Sequence, residues 1–229
     1  MMENQLLQNT SALSIFRKSL LDWGKSYFRS YPWRITEDPY AILIAEIMLH
    51  RTQVKQVLPI YSRFINKYPD INSVFEETEE NISAMLKPLG LHWRVSLIKK
   101  MAQEIHQRFD SSIPIQKEDL ISLPSISDYI ASAVRCFAWN FPDPLVDTNT
   151  VRIVGRVYGV QTKDSSRRNQ RIRELIENLV DPQFPAKFNY ALIDLAHLVC
   201  HKKKEPVCRV CPISSFCNLA QSRYPEIRK

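Results

Sequence analysis

Four of the five cysteines fall within one short stretch near the end of the chain, Cys200, Cys208, Cys211 and Cys217, with gaps of seven, two and five residues. In a reducing compartment such a run predicts metal ligation rather than disulfides. Four thiolates can saturate a tetrahedral zinc ion or the four irons of a 4Fe–4S cube. Zinc ribbons use two close cysteine pairs. Here only Cys208 and Cys211 are close and the outer two stand apart, which suits an array wrapped around something larger. A 4Fe–4S cluster is therefore the expected cofactor, and zinc is the alternative. Cys136 lies on an apolar helix face and reads as a small core residue. Two acids also stand out. Asp147 follows Leu145-Val146 and precedes the helix containing Val151, where its ordinary role is an N-cap. Glu46 interrupts the apolar run Ala41 to Leu49, and a carboxylate there is either paired with a neighbouring helix or functional. Inside the cysteine run, Lys202, Lys203 and Lys204, with Arg209 beyond, form either a solvated charge run or a clamp on phosphates.

The elements that must position these residues are helical. Leu13, Phe16, Leu20, Trp23 and Tyr27 recur every three or four residues. Asp38-Pro39 starts a helix through Leu49. Thr52 is expected to cap the next, with the stripe Val54, Val57, Leu58, Tyr61, Phe64 and Ile65, which ends at Tyr68-Pro69. Further helices are predicted over 78–87, closed by Pro88 and Gly90, then over 92–109, 117–122, 129–139, 151–160, 169–180 and 188–200. No series of alternating strands is present. The chain has only four glycines, which argues against sheet-rich folds with many tight turns and excludes a glycine-rich phosphate loop. The expected fold is all-α and two-lobed: a helical bundle over 35–140, and a cysteine-bearing lobe built from 1–34 and 141–229.

Composition narrows the class of function. The 229 residues are 45% hydrophobic and 24% charged, with 31 Lys+Arg against 24 Asp+Glu, a net charge of +7. That is an ordinary globular balance with enough chain for a core. No apolar run reaches the roughly 18 residues of a membrane span, and the N-terminus lacks the basic and apolar regions of a secretory signal. An intracellular, cytoplasmic protein with no membrane partner is expected. The basic excess favours an anionic partner. No heptad seam marks an oligomer, so a monomer is the expectation.

Four separated stretches, taken with the cysteine run, resemble the helix-hairpin-helix DNA glycosylases of the endonuclease III superfamily. They are Tyr31-Pro32-Trp33-Arg34 with Asp38-Pro39-Tyr40, then Ala45 to Gln53 (AEIMLHRTQ), then Leu123-Pro124-Ser125-Ile126-Ser127-Asp128-Tyr129, and finally Val146-Asp147-Thr148-Asn149 before Val151-Arg152. Together they span about Leu13 to Cys217. Within the superfamily the sequence is most similar to the thymine–DNA mismatch glycosylases, then to the adenine glycosylases. Two departures accompany the match. The family's first cysteine gap is six residues, against seven here. Its hairpin is Leu-Pro-Gly-Val-Gly, whereas Ser125 and Ser127 replace both glycines. A serine forced to positive φ costs on the order of 1 kcal/mol, although its hydroxyl adds a possible phosphate donor.

The resemblance implies roles. Asp147 occupies the position of the family's essential aspartate, which stabilises positive charge developing on the deoxyribose or activates water. Glu46 would line the base pocket and hydrogen-bond or protonate the flipped base, a task that calls for a raised pKa. Tyr129 stands where bifunctional members carry a lysine nucleophile. Tyrosine cannot form a Schiff base and is what the mismatch thymine branch has there. Arg51, at the His50-Arg51-Thr52-Gln53 corner, would fill the space left by the extruded base. Ser125, Ser127 and Lys202 to Lys204 would contact DNA. Trp33 and Trp93 are read as aromatics packing between lobes. The expected activity is a monofunctional DNA N-glycosylase. It would remove thymine or uracil from mispairs with guanine, in double-stranded DNA carrying a mismatch or damaged base, by base flipping and hydrolysis. The alternatives are an adenine DNA glycosylase, a catalytically silent DNA-binding relative and a zinc-stabilised helical DNA binder. Against the adenine reading stand Tyr129 and the 12 residues after Cys217, too few for an additional lesion-recognition domain.

Overall fold

A computed structural model describes residues 6, 9–50 and 52–227. Among them every regular element is an α- or 3-10 helix, and there is no strand. Backbone contacts divide the chain into two compact units, Ser30–Trp139 and Met1–Arg29 with Asn140–Lys229.

The chain enters through α1 (Thr10–Tyr27), capped by Asn9, whose side-chain oxygen accepts from the Ala12 amide at 3.0 Å. The Ser30–Trp139 unit follows, beginning with a 3-10 turn (Pro32–Arg34) and α2 (Pro39–Leu49). In α2, Asp38 is the N-cap and Pro39 the first helical residue, as the sequence predicts, and every residue from Tyr40 to Met48 is buried. Helix α3 (Val54–Lys67) buries one face, Val57, Ile60, Tyr61 and Phe64. Its N-cap is Gln53, with no side-chain hydrogen bond, rather than Thr52. Two short helices come next, α4 (Ile71–Glu76) and α5 (Glu79–Leu86). Gly90 then turns the chain at φ +67°, a left-handed conformation suited to glycine. A 3-10 turn (His92–Arg94) leads into α6 (Val95–Phe109), so the predicted helix over 92–109 starts three residues late. Lys99 of α6 donates to the carbonyls of Val74, Phe75 and Glu77, satisfying groups left open where α4 ends.

Helices α7 (Lys117–Ser122) and α8 (Asp128–Trp139) form the hairpin pair, and α8 packs against α2. The connection is held by amide bonds from Leu123 to Leu120 O and from Ile126 to Leu123 O, with both side chains buried. An ion pair from Lys117 to Asp128 (3.0 Å) links the two helices.

In the other unit, α9 (Thr148–Tyr158), α10 (Gln170–Leu179) and α11 (Pro185–Leu198) pack about the stripe of α1, and α12 (Asn218–Arg223) follows the cysteine run. Helices α1 and α11 approach closely at Gly24, where an added Cβ would sit 2.8 Å from Ala191 Cβ. Arg17 of α1 donates to the last carbonyls of α10, Asn178 and Leu179. Fully buried Asp194 of α11 is paired with Arg29 at 2.6 Å.

Candidate active site and cysteine loop

In the unit that contains it, Asp147 does the capping its position predicts. One carboxylate oxygen accepts from the amides of Asn149 and Thr150, both at 2.8 Å, and Asn149 Nδ2 donates to the other at 2.7 Å. Thr150 closes the box: its hydroxyl accepts from the Asp147 amide at 3.0 Å and donates to Leu145 O at 2.6 Å. The carboxylate is half-buried and its orientation is set by backbone that α9 itself fixes. Capping and chemistry are thus compatible, because the cap holds an oxygen-rich group at a helix N-terminus without enclosing it.

The same helix reaches the cysteine loop. Arg152 donates to Asn149 Oδ1 (3.2 Å), to Cys200 O (3.0 Å) and to Ala196 O (3.0 Å). Burial lowers its pKa, while Cys200 and Asp147 act in the opposite direction. One turn on, Arg156 donates to Cys200 Sγ at 3.0 Å and its carbonyl accepts from Cys217 Sγ at 3.4 Å. Sequence reading took Arg152 only as part of a motif and missed Arg156. Their i, i+4 spacing, which puts both on one face of α9, was the available signal.

Cys200, Cys208, Cys211 and Cys217 line a single cavity, together with Ile153, Val157 and Leu195. None is in a disulfide. Burial, then the proximity of the other cysteines, pushes Cys217 up to about 11; burial, offset in part by the Ile213 amide, pushes Cys211 up to about 12; and burial raises Cys208. Among the described residues the sulfurs do not close on a common point as a ready-made ligand group would. The donor set nevertheless fits a cationic iron–sulfur cluster: four thiols face one buried space, where a bound cation reverses the cost of thiolate formation. Cys136, by contrast, is fully buried in α8. The lysine run, Lys202, Lys203 and Lys204, is exposed on the loop between Cys200 and Cys208.

In the Ser30–Trp139 unit, Glu46 lies on α2 with 7% of its surface exposed, amid buried Ile42, Leu43 and Ile47. Tyr129 is the second residue of α8 and half-buried. The hairpin serines differ from one another. Ser125 takes φ +70°, whereas Ser127 is not in the left-handed region. Ser127 instead caps α8, its hydroxyl accepting from the Ile130 amide at 3.3 Å. Only one of the two replaced glycines therefore meets a backbone that favours glycine.

Trp33 is buried, stacked on Tyr31 and edge-on to Tyr61. Trp93, expected as a packing aromatic, is instead 56% exposed, with the Arg94 guanidinium 4.6 Å from its ring centre. Arg51 lies outside the described residues.

Residues 44–178 match the HhH-GPD superfamily of base excision DNA repair proteins. The chain belongs to that superfamily. It is 38% identical over 216 residues to a thymine/uracil-DNA glycosylase of Pyrobaculum aerophilum, covering 91% of this chain and 93% of the relative. It is 34% identical to a thymine-DNA glycosylase of Aeropyrum pernix, covering 93% and 97%. An adenine DNA glycosylase of Buchnera aphidicola is 33% identical, but the match spans only 58% of that protein. The solved structure of a thermostable thymine-DNA glycosylase superposes with a TM-score of 0.83 at 30% identity, covering 92% of this chain and 97% of that one.

Proposed function

We propose that this protein is a monofunctional DNA glycosylase that removes thymine or uracil from mispairs with guanine, by flipping the base and hydrolysing its N-glycosidic bond. The observation that carries this reading is Tyr129 at the head of α8. It is a phenol that cannot form an imine, in a chain whose relatives over nine-tenths of its length include thymine and uracil glycosylases. Asp147 is the catalytic carboxylate. It stabilises oxocarbenium character on the sugar or activates water, and its hydrogen bonds to Asn149 and Thr150 fix where that charge sits. Glu46 binds or protonates the departing base from an apolar wall that raises the worth of each polar contact. Tyr129 contacts the extruded nucleotide.

The partner is double-stranded DNA carrying a mismatch or damaged base. Contacts come from the hairpin (Ser125, Ser127), from Arg51, and from Lys202, Lys203 and Lys204. Cys200, Cys208, Cys211 and Cys217 hold a 4Fe–4S cluster, with zinc as the alternative. Bound there, the cluster would tie the 200–217 loop into a rigid piece that presents its lysines to phosphates. The protein acts as a monomer inside the cell; among the described residues no helix is long and apolar enough to cross a membrane.

The test is strand nicking after alkali across duplexes holding uracil, thymine, adenine or oxidised bases in each mispair. Nicks at uracil and thymine opposite guanine are expected. Release of adenine alone would favour the second reading, an adenine DNA glycosylase, which the 33% identity to the Buchnera protein supports. Duplex binding with no base released from any substrate would favour a catalytically silent relative, the reading suggested by the altered hairpin.

A further inference from the structure

The chain reaches Asp147 through residues 140–146, a segment with no regular structure. Its sequence makes it stiff. Pro142 and Pro144 fix φ at two positions and hold the residues before them, Phe141 and Asp143, toward extended backbone. The segment is also tied along its length. At its start Asn140 takes φ +58° and its side-chain amide donates to Gln183 O at 3.4 Å. At its end Leu145 and Val146 are buried, and Leu145 O accepts from the Thr150 hydroxyl at 2.6 Å. Between these, Asp143 O accepts from Asn189 Nδ2 at 3.3 Å. Asn189 belongs to α11 and is 0% exposed, in a helix whose Phe188, Ala191 and Leu192 are buried with it. A carboxamide is enclosed this way at a cost that only hydrogen bonding offsets. The bond it makes runs from α11 to the stretch of chain that delivers Asp147 to the head of α9.

We infer that Asn189 is a positioning residue for base release: it bolts the proline-stiffened segment at Asp143 and so sets where the Asp147 carboxylate stands against the sugar. The bonds from Asn149 and Thr150 orient that carboxylate relative to α9; Asn189 places the segment that leads to it relative to α11. This rests on the glycosylase reading, in which Asp147 stabilises charge on the deoxyribose, and adds to it a residue that acts through Asp147 without touching substrate. Placement matters because a displacement of about 1 Å in a reacting group costs on the order of 100-fold in rate.

The test uses the full-length protein and follows base release from a guanine–uracil duplex in single turnover at saturating protein. Affinity for a duplex carrying a non-cleavable abasic analogue and the thermal unfolding midpoint are measured alongside. Asn189→Leu should release base at least about tenfold more slowly while binding the analogue within about twofold of the parent. In an Asp147→Asn background the same substitution should have little further effect, because its influence passes through that carboxylate. Pro144→Ala, which loosens the segment at a half-buried site, should slow release several-fold, and it provides the decisive comparison if the leucine variant does not fold. Parental release by either folded variant overturns the assignment. So does an equal slowing by Asn189→Leu with and without the Asp147 charge, or a fall in analogue affinity as large as the fall in rate. Slowing that vanishes well below the variant's unfolding midpoint also overturns it, since that reports only loss of folded protein. A parent that releases no base from any mispair ends the glycosylase reading and this assignment with it; a parent that releases base while both variants match its rate ends the assignment alone.

Discussion

At Asp147 the observed helix cap and the proposed catalytic carboxylate are the same group. Asparagine caps helices about as well as aspartate, so Asp147→Asn should leave α9 and the unfolding midpoint nearly unchanged. It removes the charge proposed to stabilise the sugar, so base release in single-turnover assays should fall by at least about 100-fold, with duplex binding retained. A variant that still turns over at parental rate would show that the carboxylate only caps. This was half legible in the sequence: the N-cap follows from residue type and position, whereas the hydrogen bond from Asn149 depends on a side-chain rotamer that spacing does not specify. Ser125 is the complementary case. Its φ of +70° makes Ser125→Gly stabilising by about 1 kcal/mol, read as a rise of a few degrees in the unfolding midpoint. The same substitution at Ser127 should destabilise, because it removes the α8 cap. Composition put both serines in one class, and only the backbone separates them.

At the scale of elements, the long helices were readable because each carries an apolar stripe over at least three turns. Of the short ones, α7 was predicted over 117–122 and α5 over 78–87, whereas α4 and α12 were not. Helix α4 is six residues with two buried side chains, Ile71 and Val74, and exists because Asp70 and Ser73 form a reciprocal capping box and Lys99 closes its far end. Where α3, α4 and α5 meet, Glu77 collects bonds from Asn81, the Thr78 amide, Lys67 and Tyr68. The Asn81 side chain, then the Thr78 amide and Lys67, hold its carboxyl down at about 2 against an ordinary 4.5. A carboxylate with a depressed folded-state pKa adds stability above its unfolded value and loses it as pH falls toward the folded one. Glu77→Gln should therefore lower stability at neutral pH and flatten the loss of stability between pH 4.5 and 2, as followed by urea unfolding across pH. An unchanged acid limb would show that these bonds do not couple to folding. The late start of α6 follows from the 3-10 turn His92–Arg94 that precedes it, which apolar periodicity does not distinguish from a first helical turn.

For the molecule as a whole, the all-α class was legible from absent strands and scarce glycine, and the cysteine run from spacing alone. The wall behind that run was not, since Arg152 and Arg156 reach Cys200 from residues more than 40 positions earlier. If the four cysteines hold an iron–sulfur cluster, the purified protein should absorb broadly in the visible blue. Cys211→Ser should lose that band and unfold at lower temperature, because an unligated loop no longer constrains the 200–217 segment. A colourless parent containing stoichiometric zinc would assign the site to zinc.

The central claim is that an N-glycosidic bond is broken by water, with Tyr129 in a position that provides no amine. It is tested most directly by incubating the protein with a guanine–thymine duplex in the presence of borohydride and resolving the products with and without alkali. The account predicts thymine release, an intact sugar–phosphate backbone until alkali is added, and no protein–DNA adduct; an adduct trapped in proportion to base released would contradict it.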